Sequence, residues 1–198
     1  MYFYVVRHGE TVQNVAAVYQ WHTDWSLSSR GIDQMTMLLP FVESFGVDAV
    51  YTSDLGRCTS SLALIRQWFD EDVVITEDAR LRWYDAWSFV WQSYQWYEKN
   101  PSQLIESAWE IWWDQKQFMK EQIWSLFHDL IDRHASDDSI FLMTHRSSIR
   151  YIHEYITGAV SSDLSVSTGG WSLYSLESAS PWQWSCIISN SLDHQESL

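Results

Sequence analysis

The chain has 198 residues and a formal net charge of −14 at pH 7, because 26 Asp and Glu outnumber 12 Lys and Arg. A chain of this length is predicted to form one domain with its own hydrophobic core. The acidic balance argues against nucleic acid and anionic membrane surfaces as partners, since both would be repelled, so an anionic ligand needs a local positive pocket.

Neither a leader segment nor a membrane span is predicted. The apolar run at the start is too short for a signal peptide, and no stretch reaches the length of a membrane-spanning helix. Cys58 and Cys186 match no metal-ligand or redox spacing, and Cys58 is expected to be a small packing group. The sequence has no glycine-rich nucleotide motif either. We therefore expect a cytoplasmic protein without a metal site or cofactor.

The first predicted strand leads directly into residues suited to chemistry. Residues 2–6 are apolar and rich in aromatic and β-branched side chains, which predicts a strand buried on both faces. Arg7, His8 and Gly9 follow it. Arginine offers a fork of donors to an oxyanion, neutral histidine is nucleophilic, and glycine lets the backbone approach a ligand. Since ligands collect at the carboxyl ends of strands in open α/β sheets, these residues predict a phosphoryl-binding site.

A second strand followed by polar residues is predicted at 48–52. A helical pattern then continues to about residue 68, with Ser53 as its expected N-cap. Arg57 falls in the first turns of this helix, where free backbone N–H groups favour anions. The sequence therefore predicts a second cationic group for the phosphoryl site.

A third apolar strand is predicted at 139–144 and ends on His145, before a helix at 147–156. The pattern repeats that of His8, which also lies at the end of a strand. We expect the two histidines and Arg57 to converge at one edge of the sheet.

The remaining predicted elements frame these strands. The helix nearest the first motif has an apolar inner face formed by Met35, Leu38, Leu39 and Val42. The predictions are helices at 31–45 and 100–134, the latter capped by Asn100 with Pro101 at its first position, and strands at 73–75, 171–176 and 184–188, the last two joined by a turn at 178–183.

These elements predict an α/β fold with three α/β/α layers and a mostly parallel central sheet. No linker or repeat divides the chain. We expect residues 1–198 to form a single domain, with a helical insertion at about 84–135.

The chain resembles the histidine phosphatase superfamily, also called the phosphoglycerate mutase-like family, over nearly its whole length. Four segments carry the resemblance, and their order and spacing make it specific. They are RHGETVQN at 7–14, LSSRGIDQ at 27–34, VYTSDLGRCTSSLALI at 50–65 and MTHRSSIRYI at 143–152.

This resemblance implies a role for each matched residue. His8 would be phosphorylated in a covalent intermediate, and Arg7, Arg57 and His145 would complete the phosphate pocket. Asn14 would contact the substrate through its amide, with Thr11 and Gln20 nearby. The reaction would be metal-independent, because the guanidinium groups and the second imidazole supply the charge stabilisation.

Two positions depart from the family pattern. Trp83 stands where the family carries an acid, and an indole cannot protonate a leaving alkoxide. Asp85, two residues on, is a candidate replacement acid, and a solvated loop aspartate is the alternative interpretation. After His145, Arg146 and Ser147 replace two glycines, so Arg146 is expected to add positive charge to the pocket or to narrow it.

The resemblance and its departures leave several hypotheses for function. The first is a phosphatase that hydrolyses a small phosphorylated metabolite through His8. The second is a phosphate-binding protein on the same fold whose turnover is impaired by Trp83, and a phosphoglycerate mutase is a third.

Tryptophan is unusually abundant, at 14 residues. An altered sequence, a biased lineage and an aromatic ligand pocket would each explain this composition. Trp112, Trp113 and Trp124 on the long helix either cover the core or are exposed and favour a homo-oligomer. His22, in the loop after the first motif, is a further candidate to line the pocket.

Overall fold

The computed structural model describes residues 1–20, 22–82, 99, 101–159, 164–179, 182–192 and 195. Its strands are β1 (Tyr2–Arg7), β2 (Ala49–Thr52), β3 (Val74–Glu77), β4 (Ser139–Thr144), β5 (Trp171–Ala179) and β6 (Trp182–Ser191). Its helices are α1 (Val12–Val15), α2 (Ser29–Phe45), α3 (Gly56–Ile65), α4 (Pro101–Arg133) and α5 (Arg146–Thr157), with short 3-10 helices at Arg66–Trp68 and Ala79–Leu81.

The strands form one mixed, mostly parallel sheet in the order β3-β2-β4-β1-β5-β6. The first four strands in this order are parallel, β5 runs antiparallel to β1, and β6 at the far edge runs antiparallel to β5. In the parallel part, Arg7 pairs with Thr144, and Thr52 pairs with Met143. The carboxyl ends of β2, β4 and β1 therefore lie side by side at one edge, and the predicted fold class is confirmed.

Helices cover both faces of the sheet because the strands alternate their apolar side chains. Phe3 and Val5 of β1 pack into a core with residues of α4 and α5. Val6 of the same strand packs into a second core with residues of α2 and α3. The helices on one face, the sheet, and the helices on the other face therefore form the three predicted layers, with one core on each side of the sheet.

Helix α2 confirms the predicted inner face. Met35, Leu38 and Val42 are buried, and the side chain of Leu39 lies outside the described part. The helix begins two residues before the predicted start because Ser28 caps it, its hydroxyl accepting from the Gly31 N–H at 3.0 Å.

The predicted cap of α3 is wrong. This helix begins at Gly56 with Leu55 in the N-cap position, and no side chain caps it there. Ser53 lies two residues before the N-cap, and its hydroxyl instead contacts His145 at 2.9 Å. The prediction failed because the same hydroxyl that suits a cap also suits a buried imidazole.

Helix α4 begins at Pro101, as predicted, while its expected cap Asn100 lies outside the described residues. Met119 and Leu130 are buried on its inner face. Trp124 is 55% exposed and contacts the His128 ring, so it does not cover the core. The side chains at 112 and 113 are not described, and the proposed insertion at 84–135 stays a prediction.

The sheet is completed by the predicted hairpin of β5 and β6. Both strands are longer than predicted, so the segment that joins them, 180–181, is shorter than the expected turn at 178–183. No helix within the described part is long and apolar enough to cross a membrane.

Candidate active site

Three polar residues directly follow the aligned strand ends. His8 follows β1, Ser53 follows β2 and His145 follows β4. Backbone hydrogen bonds continue the sheet past these ends, since His8 N–H donates to the Thr144 carbonyl at 3.1 Å and Ser53 N–H donates to that of Met143 at 2.9 Å. The rings of His8 and His145 consequently lie with their centroids 5.3 Å apart.

The His8 ring is held through the neighbouring peptide group of Gly9. Its Nδ1 lies 2.8 Å from the Gly9 carbonyl oxygen. The Gly9 N–H donates to the Ser61 hydroxyl at 3.0 Å, and Ser61 in turn donates to the Arg57 carbonyl at 2.7 Å. A β-carbon at position 9 would lie 2.6 Å from the Gly31 carbonyl oxygen, so only glycine permits this approach.

This hydrogen bond fixes the tautomer of His8. A carbonyl oxygen only accepts, so Nδ1 must carry the proton and Nε2 of the neutral ring keeps its lone pair. The pKa of His8 is well below its usual range because of burial, and the charges of Arg57 and Arg7 lower it further. His8 is therefore a neutral imidazole with a nucleophilic nitrogen at neutral pH.

His145 is held in the opposite tautomer. The Arg57 Nε–H donates to His145 Nδ1 at 3.2 Å, so Nδ1 accepts. Nε2 then carries the proton and donates to the Ser53 hydroxyl at 2.9 Å. Burial lowers the pKa of His145 well below its usual range, followed by the charges of Arg57, His8, Arg7 and His22.

Cys58 packs against the same ring. Its Sγ lies 3.5 Å from His145 Nε2 and 3.6 Å from the Thr144 carbonyl oxygen. The thiol is fully buried, and burial raises its pKa to about 12. The expected buried packing role is confirmed, and the thiol also forms one wall of the His145 site.

Two arginines supply positive charge. Arg57 is buried at the start of α3, where its Nη1 donates to the Thr23 carbonyl at 3.3 Å. Arg7, at the end of β1, donates through Nη1 to the Val166 carbonyl at 2.6 Å. Burial lowers the pKa of Arg57, but a guanidinium keeps its proton in proteins, so the charge persists.

The residues predicted to contact the substrate differ from one another in burial and in their hydrogen bonds. Thr11 is buried and caps α1 by accepting from the Asn14 backbone N–H, and Asn14 Oδ1 in return accepts from the Thr11 N–H at 3.0 Å. Gln20 is buried, and its Oε1 has no hydrogen-bond partner in the described part. Arg146 is exposed at the first position of α5, directly after His145.

The predicted replacement acid Asp85 and the altered position Trp83 lie outside the described residues. The described chain leads up to them from the site. The Leu81 carbonyl accepts from the Thr144 hydroxyl at 2.7 Å. Arg82 forms a bidentate pair with Asp54, whose Oδ1 accepts from the Arg82 Nε–H at 2.5 Å.

The contact of Ser53 with His145 and that of Cys58 with the same ring were not predicted from the sequence. The signal for Ser53 was present, because it follows a buried strand as the two histidines do. Only the structure shows which side of α3 meets His145, so the sequence held no signal for the Cys58 contact. Within the described residues, no group of three or more His, Cys, Asp or Glu is placed to hold a metal ion.

Comparisons with known proteins identify the family of the chain. The model of the histidine phosphatase superfamily (branch 1) matches residues 3–182. Among curated relatives, a broad-specificity phosphatase of Saccharomyces cerevisiae is 36% identical over 75 residues, which are 37% of this chain and 33% of that protein. The probable phosphoglycerate mutase GpmB of Proteus mirabilis is 39% identical over 79 residues, or 40% and 36% of the two chains. The matched segments thus span about a third of each curated relative.

A solved structure extends the likeness to the whole fold. YhfR of Bacillus stearothermophilus superimposes with a TM-score of 0.82 and 17% identity, and the match covers 98% of this chain and 99% of that one. At this identity, the likeness supports the fold alone. Since the family model covers nearly the whole sequence, the chain belongs to the histidine phosphatase superfamily.

Proposed function

We propose that the protein is a phosphatase that hydrolyses a small phosphomonoester through a covalent phosphohistidine on His8. The observation that carries this proposal is the hydrogen bond of His8 Nδ1 to the Gly9 carbonyl, which leaves Nε2 unprotonated. Both similarity to phosphatases and the buried arginine beside the histidines support it.

The first step is in-line attack of His8 Nε2 on the phosphorus atom. The N–P bond forms as the bond from phosphorus to the ester oxygen breaks, and the alcohol leaves. Arg57 and Arg7 neutralise the charge on the transferring group, and the fixed ring positions avoid the entropy cost of alignment. Water then attacks phosphorus, which releases inorganic phosphate and regenerates His8.

The test is steady-state hydrolysis of p-nitrophenyl phosphate without added metal, beside His8→Ala and the matched variant His128→Ala on α4. We expect turnover in the parent and in His128→Ala, and only background in His8→Ala. Trapping of acid-labile phosphate on the parent, absent from His8→Ala, would identify the intermediate. Turnover that persists in His8→Ala would contradict the proposal.

The impaired binding protein is the second candidate, and Trp83 favours it because the family carries an acid at that position. It predicts that the parent binds vanadate yet hydrolyses neither aryl nor alkyl phosphates. If the parent instead hydrolyses the aryl ester alone and alkyl ester turnover appears in Trp83→Glu, the scaffold is a phosphatase that lacks only its acid. A phosphoglycerate mutase would instead return the phosphoryl group to a sugar acid, so phosphate release without transfer argues against it.

A further inference from the structure

One segment of the chain, residues 166–170 before β5, holds both Arg7 and His8. The Arg7 guanidinium donates to the Val166 carbonyl at 2.6 Å. The carbonyl of the last residue in the segment accepts from the Arg7 N–H at 3.0 Å, and the Gly169 N–H donates to the His8 carbonyl at 3.2 Å. The backbone of these two residues and the side chain of Arg7 therefore depend on where the 166–170 segment lies.

Two glutamine side chains bind this segment through Thr168. Gln34 is buried on α2, and its Nε2 donates to the Thr168 hydroxyl and to Gln195 Oε1, both at 3.1 Å. Gln195 Nε2 donates in turn to the Thr168 carbonyl at 3.1 Å. A side-chain amide has two N–H donors and one acceptor oxygen, so every contact in this closed ring joins a donor to an acceptor.

Gln34 also binds the chain directly after His8. Its Oε1 accepts from the Glu10 N–H at 2.9 Å. A backbone N–H only donates, so this contact fixes which end of the Gln34 amide is oxygen, and the amide nitrogen must face Thr168. One side chain therefore joins the residues that follow His8 to the 166–170 segment.

The packing at Gly169 makes this connection close. Gly169 is buried with a φ of +68°, and a β-carbon there would lie 2.7 Å from Gln195 Nε2 and 3.0 Å from the β-carbon of Gln34. Both glutamines thus pack against the glycine whose N–H donates to the His8 carbonyl. Removal of either amide would open space beside Gly169 and free the segment to shift.

We propose that Gln34 and Gln195 are positioning residues, which hold the 166–170 segment so that Arg7 and His8 keep the geometry needed for attack on phosphorus. This inference rests on the phosphatase function proposed above. Both glutamines act through the segment and through the backbone of the neighbouring residues. Their position matters because a displacement of reacting groups by about 1 Å costs about a hundredfold in rate.

The proposal separates the chemical step from phosphate binding. The buried Arg57 is held by other contacts, with the Thr23 carbonyl and with His145. A phosphate group should therefore still bind when the glutamine contacts are removed, while the misplaced His8 attacks more slowly. Loss of an interaction that counts only in the transition state lowers kcat and leaves ground-state binding largely unchanged.

The experiment measures kcat for p-nitrophenyl phosphate and the inhibition constant of inorganic phosphate in the parent, Gln34→Leu, Gln195→Ala and the double variant. We expect kcat to fall about tenfold to a hundredfold in Gln34→Leu and about threefold to tenfold in Gln195→Ala, with little change in the inhibition constant. The double variant should be no slower than Gln34→Leu, because both residues act through one segment. The matched control is Gln117→Ala, whose exposed amide donates to Glu121 at 3.0 Å.

A spectroscopic measurement reports the position of His8 itself. The protein is labelled with ¹⁵N-histidine, and the signals of His8 are identified among the seven histidines by their absence from His8→Ala. The nitrogen shifts of the ring depend on its tautomer and on the hydrogen bond of Nδ1 to the Gly9 carbonyl. They should move in Gln34→Leu and Gln195→Ala but not in Gln117→Ala.

Unchanged His8 signals together with parent-like kcat in Gln34→Leu and Gln195→Ala would overturn the positioning role. So would a loss of phosphate affinity as large as the loss of kcat. A parent that does not turn over p-nitrophenyl phosphate would instead overturn the phosphatase function, and the His8 signals would still test the glutamines. Circular dichroism checks the folding of each variant. Since Gln195 is only half-buried, Gln195→Ala tests the proposal even where Gln34→Leu does not fold.

Discussion

His8 and His145 face each other as the same side chain held in two different proton arrangements. The acceptor-only carbonyl of Gly9 places the proton of His8 on Nδ1, while the donor Arg57 places that of His145 on Nε2. One ring therefore presents a lone pair where a phosphoryl group would be attacked. The other is locked between Arg57 and Ser53 and acts as a fixed wall of the site.

The two buried histidines make the free energy of unfolding depend on pH. Burial lowers the pKa of both, and nearby arginine charges add to this, so the folded protein keeps them neutral. Unfolded histidines bind protons below about pH 6.5. Above that pH neither state binds them, but below it only the unfolded state gains protons, and stability falls by at most about 1.4 kcal/mol per pH unit for each histidine. Urea unfolding from pH 8 to 5 measures this loss.

The control for this prediction is the double variant His8→Gln, His145→Gln. It should show a shallower loss of stability over the same range, because other titrating groups remain. An unchanged slope in the double variant would show that these histidines do not carry the effect.

Ser53 is expected to matter for stability and rate alike. Ser53→Ala leaves the buried Nε2–H of His145 without its acceptor at 2.9 Å, a defect that costs about 1–3 kcal/mol. Misalignment of His145 and of Arg57, which donates to it, should lower kcat for p-nitrophenyl phosphate by about tenfold. Urea unfolding and steady-state kinetics measure both, with Ser60→Ala, an exposed serine of α3, as control. Equal behaviour of the two variants would refute this role.

Helix α2 packs closely against residues 9–11, the segment that follows β1. A β-carbon at Gly31 would lie 2.0 Å from the Glu10 carbonyl oxygen, which is backbone and cannot move aside alone. Gly31→Ala should therefore cost about 3 kcal/mol or more and disturb His8, two residues before Glu10. Gly46→Ala is the matched change at the other end of α2.

At Gly46 the cost has a different origin. Its φ is +57°, and a β-carbon there would meet nothing within 4 Å, so the penalty is only the left-handed backbone, about 1 kcal/mol. Thermal unfolding of both variants tests the contrast. If Gly46→Ala proved the more damaging, the close packing of α2 on the 9–11 segment would be the wrong explanation.

At the scale of elements, the sequence was most informative where a buried strand ends. Strand β4 matched its predicted bounds, and both histidines follow strands as expected, because continuous apolar runs leave little freedom in where a strand ends. The start of α3 was not predictable from the sequence. Ser53 can cap the helix or contact His145, and the second contact forms only because β4 lies beside β2. The 20–24 loop is fixed by Arg57 and Gly56, which are distant in sequence, so only His22 itself was a candidate there.

For the whole molecule, the positive pocket lies within a strongly acidic chain. The net charge of −14 repels anions at long range, so the proposed phosphate site would depend on the buried arginine and not on long-range attraction. The same repulsion makes added salt stabilising in itself. A specific effect of phosphate therefore has to be measured at constant ionic strength.

Under that condition, inorganic phosphate or vanadate should raise the melting temperature of the protein. A ligand that binds only the folded state at a hundred times its Kd adds about 2.7 kcal/mol, which corresponds to about 5–10 °C for a chain of this size. Arg57→Met removes the buried guanidinium and should abolish the increase, whereas Arg30→Gln, an exposed change on α2, should retain it. Differential scanning calorimetry with chloride as the reference anion measures the shift. An increase of equal size in Arg57→Met would place the anion elsewhere, since without that guanidinium the space between His8 and His145 has lost its nearest buried positive charge.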